Sequence, residues 1–545
     1  MFAEHSYAIA NSACPNGDRG AEDLGWARMA QQTPLRRVVI DMGSNSFRLV
    51  AYDYVPGHWW RRSDEIYDGV RIGAGLLASG SLSAERMERA LAVMDVYARF
   101  CSASGIPADK VTPVATSAIR DAANGGEFVA RVKELTKLPV RVLSADEEAY
   151  YTYLAVVNST TLSDGAVLDL GGGSLELVRV AGRHALETAS WPLGTVRMTE
   201  KFFTNDRSTS KQCAALRAHA LSELKQARWL EQLGGELVGV GGTVRNLAAA
   251  AEHAAGRPAF GVQGYALERD MLGELTEELA RHPASARAEI AGIKPERAGV
   301  ILAGAVAIGA AMDVAGATEL QVTEAGLREG VFFSSYLERG KNGRAGDPPL
   351  FADVRKATIW NLASQYQAEL AHCEHVADLA GRLWSWLIEV GASPASDVDA
   401  AELLWAAGML HDIGMAIDYD DHHKHSRYLV LAAGLPGFSQ REQALIAQAV
   451  RYHRKGTPEL GELASLCAPG DDRLLTRLAA VLALAEHLDR SRDGTIDVVG
   501  VRDHGESLEL ELGLARSGDE VLARWGAERQ ADLFRRAFGR ELSVA

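Results

Sequence analysis

Apolar residues gather twice into short runs, Val38-Val-Ile40 and Ala166-Val-Leu168, and each run ends at an aspartate. Small residues and then an alternating segment follow in both places. The two stretches are Asp41-Met-Gly-Ser-Asn-Ser-Phe-Arg-Leu-Val50 and Asp169-Leu-Gly-Gly-Gly-Ser-Leu-Glu-Leu-Val178. An apolar run, turn residues and period-two alternation predict a buried strand, a tight turn and a second strand. Met87, Leu91, Met94 and Ala98 stand at helical spacing, so Ser83 to Cys101 is read as an amphipathic helix. Val111–Thr116 is strand-like, Phe128–Leu135 helical and Val140–Leu143 again a strand. Ser144 and Glu147 then fit a capping box, which gives Glu147 a structural task and leaves Glu148 free to face a cleft.

The second half repeats this order. A hairpin begins near Leu162, a helix covers about Thr209 to Leu230, and Leu237–Val240 runs into the turn Gly241-Gly242-Thr243. Ala298–Ala315 has the small-residue composition of a tightly packed helix, and Glu319–Thr323 is a strand. Strands alternating with helices, twice over, predict an α/β protein of two related lobes with a cleft between them. Arg339–Pro349 is a linker by composition, Asp353–Asp489 is helical in period, and Thr495–Val501 and Ser507–Leu512 alternate as strands before a helix at Gln530–Phe538. The boundaries drawn from these shifts are a loose tail at 1–34, lobes at 35–160 and 161–340, a linker at 341–352, a helical domain at 353–493 and a small α+β domain at 494–545.

Composition narrows the choice of partners. The chain has 545 residues, too many for one core. It carries no apolar run long enough to span a bilayer, and the first thirty-odd residues lack the order of a signal peptide. Five cysteines without paired spacing read as reduced thiols, so a cytoplasmic location is expected. A net charge of −15 argues against a nucleic-acid coat protein, and a polyanionic ligand would need its positive groups gathered locally. Two glycine-serine turns facing each other would clamp phosphates, with Asp41 and Asp169 where a metal ion or a catalytic water belongs. Two ordinary hairpins are the plainer reading, and the match between the copies weighs against it.

Five motifs occur in order: Asp41-x-Gly-Ser-Asn-Ser-Phe, Ala115-Thr-Ser-Ala-Ile-Arg120, Ser144-x-x-Glu-Glu-Ala, Asp169-Leu-Gly-Gly-Gly-Ser-x-Glu176 and Gly239-Val-Gly-Gly-Thr243. In this the chain resembles the exopolyphosphatase/guanosine pentaphosphate phosphatase family of the actin–sugar kinase–Hsp70 superfamily. Ala407-x-Met-Leu-His-Asp-Ile-Gly, His422-x-x-His-Ser and Val450-Arg-Tyr-His-Arg-Lys455 are similar to the helical half of the long exopolyphosphatases. The resemblance implies two actin-like (ribonuclease H-like) lobes with an interlobe cleft, an all-α HD-like domain and a small α+β C-terminal domain. It implies hydrolysis of a terminal phosphoanhydride of inorganic polyphosphate, or removal of the 5′ γ-phosphate of pppGpp. A superfamily kinase or ATPase, and a regulator that binds these ligands without turnover, remain open, as does nucleotide chemistry in the helical half.

On this resemblance Gly43, Ser44, Asn45 and Ser46 of the first turn and Gly171, Gly172, Gly173 and Ser174 of the second bind phosphate. Gly241, Gly242, Thr243 and Arg245 line the cleft beside them, and Arg120 reaches a phosphoryl oxygen. Glu148 orients or deprotonates the attacking water. Asp169 and Glu176, joined by Asp41, fit a hard cation, Mg²⁺ or Mn²⁺. In the helical half His372, His411, Asp412, His425, His453 and Glu486 resemble the HD phosphohydrolase pattern, with Glu486 where such enzymes carry Asp; His372, His411, Asp412 and Glu486 are the candidate metal ligands. His422, Lys424, His425 and Arg427, with Arg451, His453, Arg454 and Lys455, are read as a basic channel for a long polyphosphate chain, against the alternative of a solvated helix face. A homodimer is expected, without nucleic-acid or membrane partners.

Overall fold

The computed structural model describes residues 33–203, 205–337, 348–397, 400–514 and 520–545, with the backbone alone at 497–499. Nearly all of the 1–34 tail and residues 341–347 of the linker lie outside these residues. The duplication seen in the two turns extends to whole sheets. The first sheet runs β3 (Trp59–Asp68), β2 (Phe47–Val55), β1 (Leu35–Met42), β4 (Val111–Ala115), β5 (Arg141–Val142), and the second β10 (Ala266–Glu268), β11 (Glu319–Val322), β9 (Glu236–Val240), β6 (Gly165–Leu170), β7 (Leu175–Ala181), β8 (His184–Trp191), so strands 3-2-1-4-5 are matched by 8-7-6-9-11. β1 (Leu35–Met42) pairs antiparallel with β2 (Phe47–Val55) and parallel with β4 (Val111–Ala115). β6 (Gly165–Leu170) pairs in the same senses with β7 (Leu175–Ala181) and β9 (Glu236–Val240). Both central strands are nearly continuous apolar runs because helices cover both faces. β3 (Trp59–Asp68) and β8 (His184–Trp191) extend the two hairpins into three-stranded meanders, which the hairpin pattern did not include.

Two helices are exchanged between the lobes. α1 (Ala145–Val157) follows the first sheet in sequence, yet Ala149, Tyr153, Leu154 and Val157 pack with Val167, Val178 and Val238 of the second. The capping box starts it as expected, with Glu147 N–H donating to Ser144 Oγ at 3.1 Å and Ser144 N–H to Glu147 Oε2 at 2.9 Å. α2 (Leu327–Tyr336) closes the second lobe in sequence, yet Val331, Phe332 and Phe333 join Val39, Val50 and Tyr52 under the first sheet. Phe332 stacks on Tyr52 at 4.3 Å, and Tyr52 Oη donates to Glu329 at 2.8 Å. Residues 327–336 therefore pack outside the lobe to which the 161–340 boundary assigns them. Stacked rings bury a large apolar area, and that outweighs nearness in sequence.

Six helices, Val354–Gln365, Leu370–Glu389, Ala400–Leu410, His422–Ala433, Gln440–Tyr452 and Asp471–Leu488, build the next domain around one large apolar core. It docks on both lobes: Trp60 N–H donates to Asn361 Oδ1 at 2.8 Å, and Gly437 N–H donates to the Ser159 carbonyl at 3.0 Å. The last sheet contains β12 (Ile496–Asp503), β13 (Ser507–Leu514) and β14 (Glu541–Val544). β14 pairs parallel with β13, a third strand that its four residues did not announce. Among the described residues no helix is long and apolar enough to cross a membrane.

The crossing of α1 and α2 leaves no room for a side chain at Gly330, where a Cβ would lie 1.7 Å from the Tyr151 carbonyl oxygen. Gly330→Ala should therefore cost about 1–3 kcal/mol, the range for overpacking. Gly299→Ala, where a Cβ meets nothing within 4 Å, should be close to neutral. Denaturant midpoints of the two variants check this.

Candidate active site

The register of the hairpins sets which side chains share a face. Asp169 pairs directly with Glu176 across β6 and β7, and Asp41 pairs with Arg48 across β1 and β2. Directly opposed residues project to the same side, so each strand end presents a matched pair. Both turns close with the same bond: Gly43 N–H to the Ser46 carbonyl at 3.1 Å, and Gly171 N–H to the Ser174 carbonyl at 3.0 Å.

The turn tips meet. A Cβ at Gly172 would lie 3.1 Å from Ser44 Cβ, and one at Gly173 would lie 2.4 Å from Ser117 Oγ. Ser44 Oγ and Ser117 Oγ are 3.0 Å apart and buried. The glycines of the second turn are thus required by the approach of the first lobe. Beside them lies a cavity of about 200 Å³ lined from both lobes, with Ser44, Gly73 and Asp121 on one wall and Gly172, Gly173 and Arg197 on the other. Arg197 bridges the lobes to Asp121 at 2.9 Å, and Glu200 accepts from Gly75 N–H at 3.0 Å. Glu148 does not line this cavity; Arg120 links the two, 3.6 Å from Asp121 and 2.8 Å from Glu148.

Four carboxylates converge behind the turns. Glu148 and Thr152 are one helical turn apart on α1 and face the end of β6, where Thr152 Oγ1 donates to Asp169 Oδ2 at 2.9 Å. Ser190 Oγ donates to Glu176 Oε1 at 2.9 Å. Burial pushes Glu148 up to about 7; Arg120 opposes that, and Asp169 and Asp41 add to it. Burial raises Glu176 well above the ordinary glutamate range, helped by Glu148 and Asp169. Burial also raises Asp169 and Asp41, the latter against the pull of Arg328 and Arg48. Oxygen donors of this kind, with Arg328 3.5 Å from Asp41 and Arg120 on Glu148, suit a hard divalent cation that keeps part of its water shell. Among the described residues no three of these carboxylates bring ligand atoms within 4.8 Å of one another, so direct ligation by one or two of them fits better than a closed cage.

Several expected residues stand elsewhere. Arg120 gives Nη1 to Glu148 at 2.8 Å and to the Leu143 carbonyl at 3.0 Å, so it holds the carboxylate rather than presenting that nitrogen to a ligand. Thr243 is fully buried and packs on Gly304, so it belongs to the core beneath its turn. Gly241, at φ +98°, does reach the site, where a Cβ would lie 3.3 Å from Asp169 Oδ1. Arg245 donates to the Glu324 carbonyl at 2.6 Å, and burial beside Arg328 and Arg48 lowers it to about 10. Arg48, Arg297 and Arg328 complete this basic side and were missed. Arg48 was legible, because it occupies in the first repeat the position of Glu176 in the second.

The basic channel is corrected more heavily. His422 and His453 are buried, with Nε2 atoms 3.2 Å apart, because the helix phase turns them inward. Lys424 and Lys455 are exposed but both pair with Asp421, at 2.7 and 2.9 Å. Arg427 pairs with Glu462 at 2.6 Å, Arg454 lies over Tyr419, and Arg451 lies over Tyr452. His425 is half-buried beside Gly414. These residues do not form one solvent-facing strip. Of the expected helical metal set, His372, His411 and Asp412 come together, whereas Glu486 is bound to Arg490 at 2.7 Å and lies outside their group.

Comparison with known proteins decides what the two-lobed cleft belongs to. The Ppx/GppA phosphatase family model matches residues 63–339, and that of Ppx/GppA phosphatase domain III matches residues 354–523. The chain belongs to the Ppx/GppA phosphatase family. Solved relatives include the Aquifex aeolicus family member, at 30% identity over 55% of this chain and 97% of that one, with a TM-score of 0.48. An exopolyphosphatase-like protein is 26% identical over 55% and 97% of the two chains, with a TM-score of 0.50. An exopolyphosphatase from Cytophaga hutchinsonii is similar in fold, at 23% identity, 55% and 98% coverage and a TM-score of 0.51. This Ppx/GppA chain is therefore a phosphatase with two actin-like lobes and a helical domain III.

The charge balance around Glu148 gives a direct check. Carboxyl ¹³C shifts in glutamate-labelled protein should show two groups titrating near 7, Glu148 and, away from the cleft, Glu252, and the one that vanishes in Glu148→Gln is the cleft group. Arg120→Ala should move the Glu148 signal higher and leave that of Glu252 in place, since the guanidinium favours the charged form of Glu148 alone, and a cation bound in the cleft should move the Glu148 signal lower.

Proposed function

We propose that the cleft hydrolyses the terminal phosphoanhydride of inorganic polyphosphate and releases orthophosphate. The observation that carries this is the buried Glu148 carboxyl, held by Arg120 at 2.8 Å behind the meeting turns and raised to about 7. A base with that affinity is half ionised near neutrality and takes a proton well there. Its relatives include a protein described as an exopolyphosphatase, which favours polyphosphate as the substrate class.

In this reading the N–H and hydroxyl groups of Ser44, Asn45, Gly172 and Ser174 hold the terminal phosphoryl oxygens. Glu148 accepts a proton from water as its oxygen bonds to the terminal phosphorus, and the bridging P–O bond breaks with its electrons leaving on the shortened chain. Arg120 is a positioning residue that fixes the carboxylate. One or two of Asp41, Asp169 and Glu176 would hold Mg²⁺ or Mn²⁺ directly, and the ion when bound would neutralise charge on the phosphoryl oxygens.

Phosphate release should be measured with Mg²⁺ from long polyphosphate and from pppGpp in parallel. Wild type should act on polyphosphate, and Glu148→Gln should lower kcat by about 10²–10⁴ with the fold intact. Turnover of pppGpp alone would assign the cleft to the 5′ γ-phosphate instead. Near-normal turnover in Glu148→Gln would remove Glu148 from the mechanism.

A further inference from the structure

Domain III buries a second polar cluster that the cleft chemistry does not use. His372 comes from the helix Leu370–Glu389, and His411 and Asp412 follow Leu410. His422 starts the next long helix, and His453 lies just past Tyr452. All five side chains are buried. Their Nδ1 atoms are committed outward. His411 Nδ1 is 2.6 Å from the Gly408 carbonyl, and His453 Nδ1 is 2.7 Å from that of Val450. His422 Nδ1 is 2.9 Å from the Tyr419 carbonyl, and His372 Nδ1 is 2.7 Å from Asp489 Oδ2. A ring nitrogen beside an acceptor carries the proton, and in the neutral ring the lone pair then sits on Nε2. Arg454 offers His422 Nδ1 a donor at 3.2 Å, but the Tyr419 carbonyl is nearer.

Those lone pairs face one another and one carboxylate. Asp412 Oδ1 is 3.2 Å from His422 Nε2, 3.6 Å from His411 Nε2 and 4.0 Å from His453 Nε2. Arg492 occupies the other carboxylate oxygen at 2.5 Å. The buried Nε2 atoms of His372 and His411 have no hydrogen-bond partner among the described residues. Acceptors packed around one point without a proton to share repel, and unpartnered buried polar atoms cost stability. A cation at that point would remove both penalties.

We propose that this cluster holds a divalent transition-metal ion on Asp412 and the histidine Nε2 atoms. Two groups have ligand atoms within 4.8 Å of one another, His372–His411–Asp412 and Asp412–His422–His453, and Asp412 is common to both. One ion or a bridged pair fits this arrangement. Imidazole nitrogen with a single carboxylate selects Mn, Fe, Co or Zn over Mg²⁺. The Asp489 carboxylate behind His372 is the support that orients a metal-bound imidazole. None of these residues belongs to the lobes, so the proposal stands or falls independently of the cleft reaction.

Full-length protein stripped with chelator and titrated with Co²⁺ should bind one or two ions per chain, develop visible absorption and melt at higher temperature. Asp169→Asn, in the cleft, should keep the absorption, and His411→Gln or Asp412→Asn should lose it. Should those variants not fold, wild-type crystals soaked in Co²⁺ should give an anomalous peak within bonding distance of Asp412 and the histidine Nε2 atoms. Absence of visible absorption, its persistence in both domain III variants, or no such peak overturns the assignment.

Discussion

The cleft is governed by the burial of Asp41, Glu148, Asp169 and Glu176 together, with Arg120 against Glu148 at 2.8 Å and Arg328 against Asp41 at 3.5 Å. Taking a carboxylate out of water costs several kcal/mol, and like charges close together add to that. The two lobes bear the cost because their sheets and exchanged helices hold the strand ends in place. A protein that buries acids in this way gains nothing in stability from them. What it gains is a set of groups whose proton affinities lie above those of free carboxyls, Glu176 well above and Glu148 near neutrality. That is the condition a water-activating base needs, and it follows from placement rather than from any unusual residue.

Duplication gives the cleft its polarity. The two turns are built alike, down to the Gly43–Ser46 and Gly171–Ser174 bonds. The copies differ in the residue paired with the strand-end aspartate: Arg48 stands opposite Asp41, and Glu176 stands opposite Asp169. Arg48 of the first lobe, which also pairs with Glu65 at 2.6 Å, gathers with Arg328 of α2 and Arg245 of the second lobe, whereas Glu176 adds to the acids around Asp169.

Much of this was legible in the chain because local rules agreed with the fold. The repeat showed in Asp41–Val50 and Asp169–Val178, and the capping box correctly separated Glu147 from Glu148. The misses came where packing over long sequence distances decides. Helices Ala145–Val157 and Leu327–Tyr336 exchange lobes because of contacts such as Phe332 on Tyr52, which no local pattern records. Thr243 sits in a glycine turn that reads as a ligand loop, but the phase of the following helix turns it toward Gly304. His422 and His453 lie in sequence among lysines and arginines, and that neighbourhood suggested a solvated face. Helix phase separates them from it, so that Lys424 and Lys455 point to water and the two imidazoles point inward.

The inward turn of those histidines changes what the domain can do. Had they faced water beside the lysines, domain III would be a diffuse anion-attracting surface, weakened further by the pairing of both lysines with Asp421. Facing inward, they bring their Nε2 atoms to Asp412, at 3.2 and 4.0 Å, and take no part in that surface. The two buried clusters then differ in kind: oxygen donors alone in the cleft, mostly nitrogen in domain III. Ligand hardness sorts cations between such sites without any difference in overall fold or charge. On the two proposals together, a cation in the cleft and one in domain III would be told apart by donor chemistry, and neither site would need to exclude the other's ion by shape.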